Sequence, residues 1–176
     1  ADEAVQRTAD AWWQAGRCYF GARRYDGANR AFGSFASADG TKHDNRMAEA
    51  LYYQGESLRR MGSLAKAAEV FAKGAVSHAD SQFGYLAQLA LGETYLEMGR
   101  LEAAPEEKGP DAQRNALKVF DAIRRDVRYT PESQVWMKAL FRLGETHYRL
   151  GQKERALAAE MALVVGKTGD AAEARK

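Results

Sequence analysis

The sequence has little of what marks several common protein classes. Its 176 residues include one cysteine, Cys18, so no internal disulfide forms, and its three separated histidines with a single thiol do not make a zinc framework. With only three prolines, long helices are uninterrupted. The longest run without a charge, 81–92, has 12 residues, whereas a membrane-spanning helix needs about 20. Neither a transmembrane helix nor a metal site is expected.

The charge of the chain is nearly balanced, with 26 Lys and Arg against 24 Asp and Glu and a net charge of +2. Nucleic-acid binding usually needs a basic surface, so this balance does not favour it. Arginine pairs at 23–24, 59–60 and 124–125 keep an RNA-binding helical repeat open as an alternative. No Ser/His/Asp set or catalytic carboxylate pair is recognisable before the fold is known. We therefore predict a protein without enzyme activity, cofactor or small-molecule substrate.

What the chain does contain is a repeated pattern of small residues. A glycine recurs four times, each followed three residues later by an aromatic or long side chain: Gly16 and Tyr19, Gly55 and Leu58, Gly92 and Tyr95, Gly144 and His147. The spacings between these glycines are 39, 37 and 52 residues. In the third unit the second-helix pair Ala116 and Phe120 is displaced by 12 residues, because of an insertion around the proline- and glycine-containing stretch 104–111. Without these 12 residues the third spacing becomes 40, so the period is slightly under 40.

Each repeat unit is predicted to be a pair of antiparallel helices, because its apolar residues recur with helical spacing. A glycine inside a helix costs about 1 kcal/mol relative to alanine, so its recurrence indicates a packing role. We predict that the glycine meets an alanine of the second helix where the two helices cross, with an aromatic ring filling the space beside them. The predicted helices are 3–22, 26–37, 45–61, 64–77, 81–98, 111–125, 131–150 and 153–165.

Helix ends are also predicted from single residues. Gly62, Gly99 and Gly151 each lie seven residues after a motif glycine, where a left-handed residue would end the first helix. Arg23 occupies this position in the first unit. Asp111 and Thr130 are predicted to cap the starts of the sixth and seventh helices.

The combined pattern resembles the tetratricopeptide repeat. In the second unit it reads Leu51, Gln54, Gly55, Leu58, Gly62, Ala67 and Phe71, and the other units carry equivalents such as Trp12, Ala28, Phe32, Ala116, Phe120, Leu140 and Ala156. The resemblance implies an all-α, right-handed solenoid of about four helix-turn-helix repeats in one domain, 1–176. The units are 9–40, 45–79, 82–126 with the insertion, and 131–166.

Some features depart from the family pattern. The period exceeds the family's 34 residues, no proline closes the units, and Glu160 stands where the fourth unit should carry its second aromatic. The longer units, with Gly-Glu-Thr at 92–94 and 144–146, are similar to bacterial envelope members such as the Tol-Pal coordinator and outer-membrane assembly lipoproteins. This narrower resemblance favours the periplasm or envelope over the cytoplasm, with localisation otherwise open. The chain begins at Ala1, so we expect a processed form or part of a larger protein.

The resemblance also implies that the first helices line a concave groove for another protein. We predict a non-enzymatic scaffold that binds a partner peptide or helix there, and leave open a structural segment of a longer array or association through the terminal repeats. The predicted groove residues are Trp13, Arg17, Phe20, Tyr52, Glu56, Arg59, Leu89, Glu93, Leu96, Phe141, Glu145 and Tyr148.

Several of these residues have two interpretations. The aromatic side chains either contact a ligand or pack between repeats. Glu56, Glu93 and Glu145 share one register, so they form either an acidic ladder for a basic partner or ion pairs with arginines of neighbouring helices. The insertion is either a tolerated excursion or a contact surface. Cys18 is predicted to be a buried small apolar residue rather than a reactive thiol.

Overall fold

The structure, a computed structural model, describes residues 2–42, 44–101, 109–129 and 133–151. Within these ranges the regular structure consists of seven helices without a strand. They are α1 (Asp2–Gly21), α2 (Tyr25–Ser37), α3 (Met47–Arg60), α4 (Leu64–Ser77), α5 (Gln82–Leu101), α6 (Gly109–Arg125) and α7 (134–151). The helix predicted at 153–165 lies outside the described residues. The all-α prediction is confirmed.

The helices form consecutive hairpins that stack side by side. Each of α1 to α5 packs on the next helix in the chain, and α6 shares a core cluster with α7. The first helices α1, α3 and α5 also contact one another in that order. This is the arrangement of a helical-repeat solenoid, in which every hairpin buries its faces against its neighbours. The predicted helical-repeat solenoid is therefore confirmed, and the first helices share one side of the stack.

Three phenylalanine rings lie directly over the motif glycines of the same hairpin. A methyl carbon placed on Gly16 would lie 2.7 Å from two ring carbons of Phe32, and the same conflict occurs between Gly92 and Phe120. Both rings are fully buried. The glycine therefore leaves room for the aromatic ring that the sequence pattern predicted at this crossing. No described atom lies within 4 Å of such a carbon on Gly144.

Two of the predicted helix ends are confirmed. Arg23 and Gly62 have φ angles of 57° and 76°, and each follows the last turn of its first helix. The amide of Arg24 donates to the Tyr19 carbonyl and that of Ser63 to the Leu58 carbonyl, at 2.8 and 2.9 Å. These are the six-to-one hydrogen bonds of a Schellman cap.

Other predicted ends are wrong. Gly99 is a buried residue inside α5, which continues to Leu101, and Gly151 is still helical. Asp111 lies within the first turn of α6 rather than at its cap, so residues 109–111 of the predicted insertion are helical. A glycine ends a helix only when the chain after it turns away, and at Gly99 the helix continues instead. Thr130 and residues 102–108 lie outside the described residues.

The hydrophobic core is divided into clusters that each bridge successive hairpins. Trp13, Phe32 and Phe35 of the first hairpin form one cluster with Leu51 of α3. A second joins α3, α4 and α5 around Phe71, and a third joins α5, α6 and α7 around Phe120, Ile123 and Ala139. Because each cluster involves three consecutive helices, the same packing that forms a hairpin also fixes the next one against it.

A short connection between the first two hairpins is held by Arg46. Its guanidinium binds the Asp44 carboxylate at 2.6 Å and that of Asp10 in α1 at 2.8 Å. It also lies 5.3 Å from the ring centres of Trp13 and Phe35, within the range of a cation–π interaction. Arg46 thus attaches the loop to the first hairpin by both charge and stacking.

Candidate protein-binding groove

The predicted groove residues have the same register on the first helices α1, α3, α5 and α7, which places them within about 60° around each helix. We call the surface formed by these residues and their immediate neighbours the first-helix face. Trp13, Glu56, Leu89 and Leu96 are buried; Phe20, Tyr52, Arg59, Glu93 and Glu145 are half-buried; Arg17, Phe141 and Tyr148 are exposed. The face therefore has a packed floor with accessible groups above it.

Aromatic rings cross the first-helix face from the first unit to the third. The ring centre of Phe20 lies 4.8 Å from that of Tyr53, which lies 6.0 Å from that of Phe83 in α5. Tyr52 is 5.8 Å from Phe83 and 6.2 Å from Phe71. These separations are those of favourable aromatic pairs. Phe20 and Tyr52 consequently hold neighbouring helices together while remaining partly accessible. The packing interpretation names Tyr52 together with Trp13 and Phe141, and of these three Phe141 is exposed.

A small open cavity lies beside these rings, between the first two units. Its volume is about 190 Å³, and its lining is formed by Arg17, Phe20, Gly21, Phe32 and Tyr53. We call this cavity the aromatic notch. The guanidinium of Arg17 lies 4.8 Å from the centre of the Trp13 ring, and Arg17 takes part in none of the ion pairs formed among the described residues. The aromatic notch is thus an apolar depression with a cation at its edge.

Ion pairs cross the other part of the face, from the second unit to the fourth. Arg59 of α3 binds Glu56 at 2.9 Å and Glu93 of α5 at 3.5 Å. Arg142 of α7 lies 3.6 Å from the other oxygen of Glu93 and 2.9 Å from Glu145. The three glutamates therefore form alternating ion pairs with arginines across α3, α5 and α7. This agrees with the ion-pair interpretation of their shared register.

Three more arginines extend this network at its edges. Arg60 and Arg100 each lie 3.9 Å from a carboxylate, Glu56 and Glu145 respectively. Arg149 also binds Glu145. We call the three glutamates together with Arg59, Arg60, Arg100, Arg142 and Arg149 the charge network.

The protonation equilibria of the face reflect this burial and pairing. Burial, followed by the nearby charge of Glu56, raises the pKa of Tyr52 to about 12. Burial by itself would lower the pKa of Arg59, but the hydrogen bond to Glu56 and the surrounding carboxylates raise it overall. The hydrogen bond from Arg142 is the main cause of the lowered pKa of Glu145. At neutral pH Tyr52 is therefore uncharged, whereas Arg59 and Glu145 are charged.

Sequence reasoning missed three residues of the face, and two of them share a register that would have revealed them. Tyr53 and Arg142 each lie two residues before a motif glycine. The predicted groove residues lie three residues before, one residue after and four residues after each motif glycine. The missed position, two residues before the glycine, lies three residues from the position just after it. Three residues correspond to about 60° around a helix, so the missed position borders the same face. For Phe83, at the start of α5, the repeat pattern gave no signal.

The part of the chain that the structure describes also bears on the predictions about metal sites, membrane-spanning helices and the cysteine. It holds no group of three or more His, Cys, Asp or Glu arranged for a metal ion. No described helix is long and apolar enough to cross a membrane. The prediction for Cys18 is wrong: its thiol is exposed, because residue 18 lies on the outer side of α1, away from the buried Gly16.

Stacked hairpins with glycine–ring crossings and a shared first-helix face define a helical-repeat protein. A tetratricopeptide-repeat family model matches residues 10–39, 49–75 and 138–159, within the predicted first, second and fourth units. The chain is a tetratricopeptide-repeat protein, and repeats of this family generally mediate protein–protein interactions. The match does not distinguish the bacterial envelope type, which stays a prediction. A search of the curated proteins found no match.

Proposed function

We propose that this chain is a non-enzymatic interaction module that binds a peptide or helix of a partner protein along the first-helix face. The observation that carries the proposal is the continuity of that face. Aromatic contacts join α1, α3 and α5, and the charge network joins α3, α5 and α7. A segment lying across the repeats would therefore contact one surface built from four units.

The accessible groups of this face are suited to protein recognition. Phe141 and Tyr148 of α7 are 68% and 69% exposed, although phenylalanine is among the residues most often buried and tyrosine is intermediate. Rigid aromatic and arginine side chains supply much of the binding energy at protein interfaces. The buried residues of the predicted set, such as Leu89 and Leu96, support the face from below.

Ion pairing argues against the RNA-binding alternative. Arg59 and Arg60 both pair with Glu56, and Arg124 and Arg125 both pair with Asp121. Each of these carboxylates offsets part of the positive charge that a phosphate backbone would need. A protein ligand does not need a row of unpaired cations, so the pairing of these arginines favours a protein partner over RNA.

Site-specific photo-crosslinking tests the proposal. A benzophenone amino acid at position 141 or 148 should crosslink the partner in cells, whereas the same group at position 76 should not. Val76 is a matched control because it is 82% exposed but lies on the second helix α4. Phe141→Ala with Tyr148→Ala should then abolish capture of that partner, with an unchanged circular dichroism spectrum and melting temperature. Equal crosslinking from position 76 would contradict the proposal.

A further inference from the structure

In the charge network the outer arginine side chains are more exposed than the glutamate side chains. The side chains of Glu56, Glu93 and Glu145 are only 8%, 27% and 22% exposed. Those of Arg60, Arg100 and Arg149 are 58%, 54% and 46% exposed. The carboxylates therefore lie beneath the guanidinium groups, and a ligand approaching the first-helix face meets positive charge first.

The number of charged groups also makes the face positive. Five arginines share three glutamates in the charge network, and a fourth carboxylate, the half-buried Glu97, acts on Arg59 from nearby. Arg17 at the aromatic notch adds one more cation. The face thus carries a modest excess of positive charge, although its repeat register consists of glutamates.

The outer arginines also retain hydrogen-bonding capacity. A guanidinium has five N–H donors and binds carboxylates through two parallel hydrogen bonds when the geometry allows. Arg60 and Arg100 reach their described carboxylates only at 3.9 Å, beyond hydrogen-bond distance. Within the part of the chain that the structure describes, their donors are available to a second carboxylate without breaking the inner pairs formed by Arg59 and Arg142.

The aromatic notch favours a ligand that carries an apolar side chain. Its volume of about 190 Å³ exceeds that of an engineered protein cavity of about 150 Å³ that takes up benzene. One leucine or phenylalanine side chain fits such a space. Arg17 at its edge would pair with a carboxylate close to that side chain in the ligand.

We propose that the partner segment is acidic, with carboxylates that bind Arg17, Arg60, Arg100 and Arg149 and a bulky apolar side chain that enters the aromatic notch. This inference rests on the proposed function, since it specifies the chemistry of the ligand at the same face. A protein segment fits better than RNA because it supplies both the separate carboxylates and the apolar anchor.

Selection from a display library of random 12-residue peptides against the whole chain tests the sign of the ligand. Selected peptides should be enriched in Asp and Glu close to Leu or Phe. Their affinity should fall at least 10-fold between low and moderate salt, because exposed charge pairs are screened. The inference would be overturned if the selected peptides were enriched in Lys and Arg or showed no charge preference. It would also be overturned if no peptide were enriched.

Matched variants then locate the binding. Arg60→Gln with Arg149→Gln should weaken the best acidic peptide at least 10-fold, and Tyr53→Trp, which fills the aromatic notch, should reduce selection for the apolar residue. Arg30→Gln is the control, since this arginine is 73% exposed and paired but lies on α2. An equal loss of peptide affinity in the Arg30 variant would show that the peptide does not bind at the first-helix face. Displacement of the peptide by a 12-nucleotide RNA of higher affinity would also overturn the inference.

The two proposals fail in different ways. Crosslinking of a protein from positions 141 and 148 together with selection of basic peptides would leave the binding function standing and overturn only the acidic ligand. Crosslinking that is equal at position 76 would overturn the binding function itself, whatever peptides are selected.

Discussion

The ring of Phe71 occupies the space that a side chain of Gly55 would need. A methyl carbon on Gly55 would lie 2.5 Å from Cε1 of the ring and 2.7 Å from Cδ1. Phe71 is fully buried and packs in the cluster that joins α3, α4 and α5. The ring has no open side toward which it can move, so glycine at this position sets how closely α3 and α4 approach.

Gly55→Ala should therefore destabilise the protein, although alanine is the better helix former by about 1 kcal/mol. Overpacking of a dense core typically costs about 1–3 kcal/mol, and we expect a net loss in that range from chemical denaturation. Gly21→Ala is the control, since no atom of another described residue, apart from its chain neighbours and its own helix backbone, lies within 4 Å of the added carbon. A Phe71→Leu change should cost less in the Gly55→Ala background than alone. Equal stability of the Gly55 and Gly21 variants would contradict this account.

Substitutions at the two Schellman caps should change the stability of the protein in opposite directions. Gly62→Arg should lower the free energy of unfolding by about 1 kcal/mol, because L-residues pay about 1–2 kcal/mol in the left-handed region. Arg23→Gly removes that cost, but glycine also gains freedom in the unfolded chain. We therefore expect it to leave stability unchanged or to raise it by up to about 1 kcal/mol. Thermal melts of both variants decide the matter, and a marked loss for Arg23→Gly would show that the arginine side chain stabilises this end.

Acid should weaken the attachment of the first interhairpin loop. The hydrogen bond from the side chain of Arg46 is the largest cause of the lowered pKa of Asp44, whose ordinary value is 3.8. A carboxyl group whose pKa is lower in the folded state stabilises the protein above its unfolded pKa. This contribution is complete above about pH 5 and is lost as the pH falls through the lowered folded-state value.

Asp44→Asn should remove this pH-dependent contribution. With solvent screening we expect a loss of about 1 kcal/mol at pH 7, and a smaller further loss than in the unmodified chain between pH 5 and pH 3. Asp26→Asn, which breaks an exposed pair with Arg30, is the comparison and should cost less than about 0.5 kcal/mol. Denaturation at several pH values measures both. An identical pH profile for the Asp44 variant and the unmodified chain would refute the assignment.

Cys18 should react with a thiol reagent in the folded protein. Its exposure on α1 predicts labelling of one thiol per chain by Ellman's reagent without denaturant, at a rate close to that in urea. Slow labelling that accelerates only on unfolding would mean that the thiol is protected.

The fold could be predicted from the sequence because its main constraint is local. Gly16, Gly55 and Gly92 recur at a nearly constant spacing, and each permits one ring to approach the helix axis. The helix ends were less predictable. Gly62 and Gly99 occupy equivalent places in the sequence, yet the chain turns after the first and continues as a helix through the second. The residues after each glycine, and their packing against other helices, decide between these outcomes.

The candidate site could be predicted only in outline. The repeat register identified Glu56, Glu93 and Glu145, but their ion-pair partners on other helices depend on how far neighbouring helices rotate and slide. Arg142 reaches Glu93 from another unit, a relation that no spacing within one helix contains. The sequence therefore indicated which charges share a face, whereas the depth of each charge, and hence the sign presented to a ligand, emerged from the packing.

Among the six helices α1 to α6, each contacts only those one or two places away in the chain. Nothing in this part of the molecule ties its beginning to its end, so the number of hairpins is not fixed by closure of a barrel or bundle. Duplication or deletion of a whole unit in evolution would disturb only one junction. The reach of the recognition surface can thus be lengthened or shortened in steps while the remaining interior keeps its sequence.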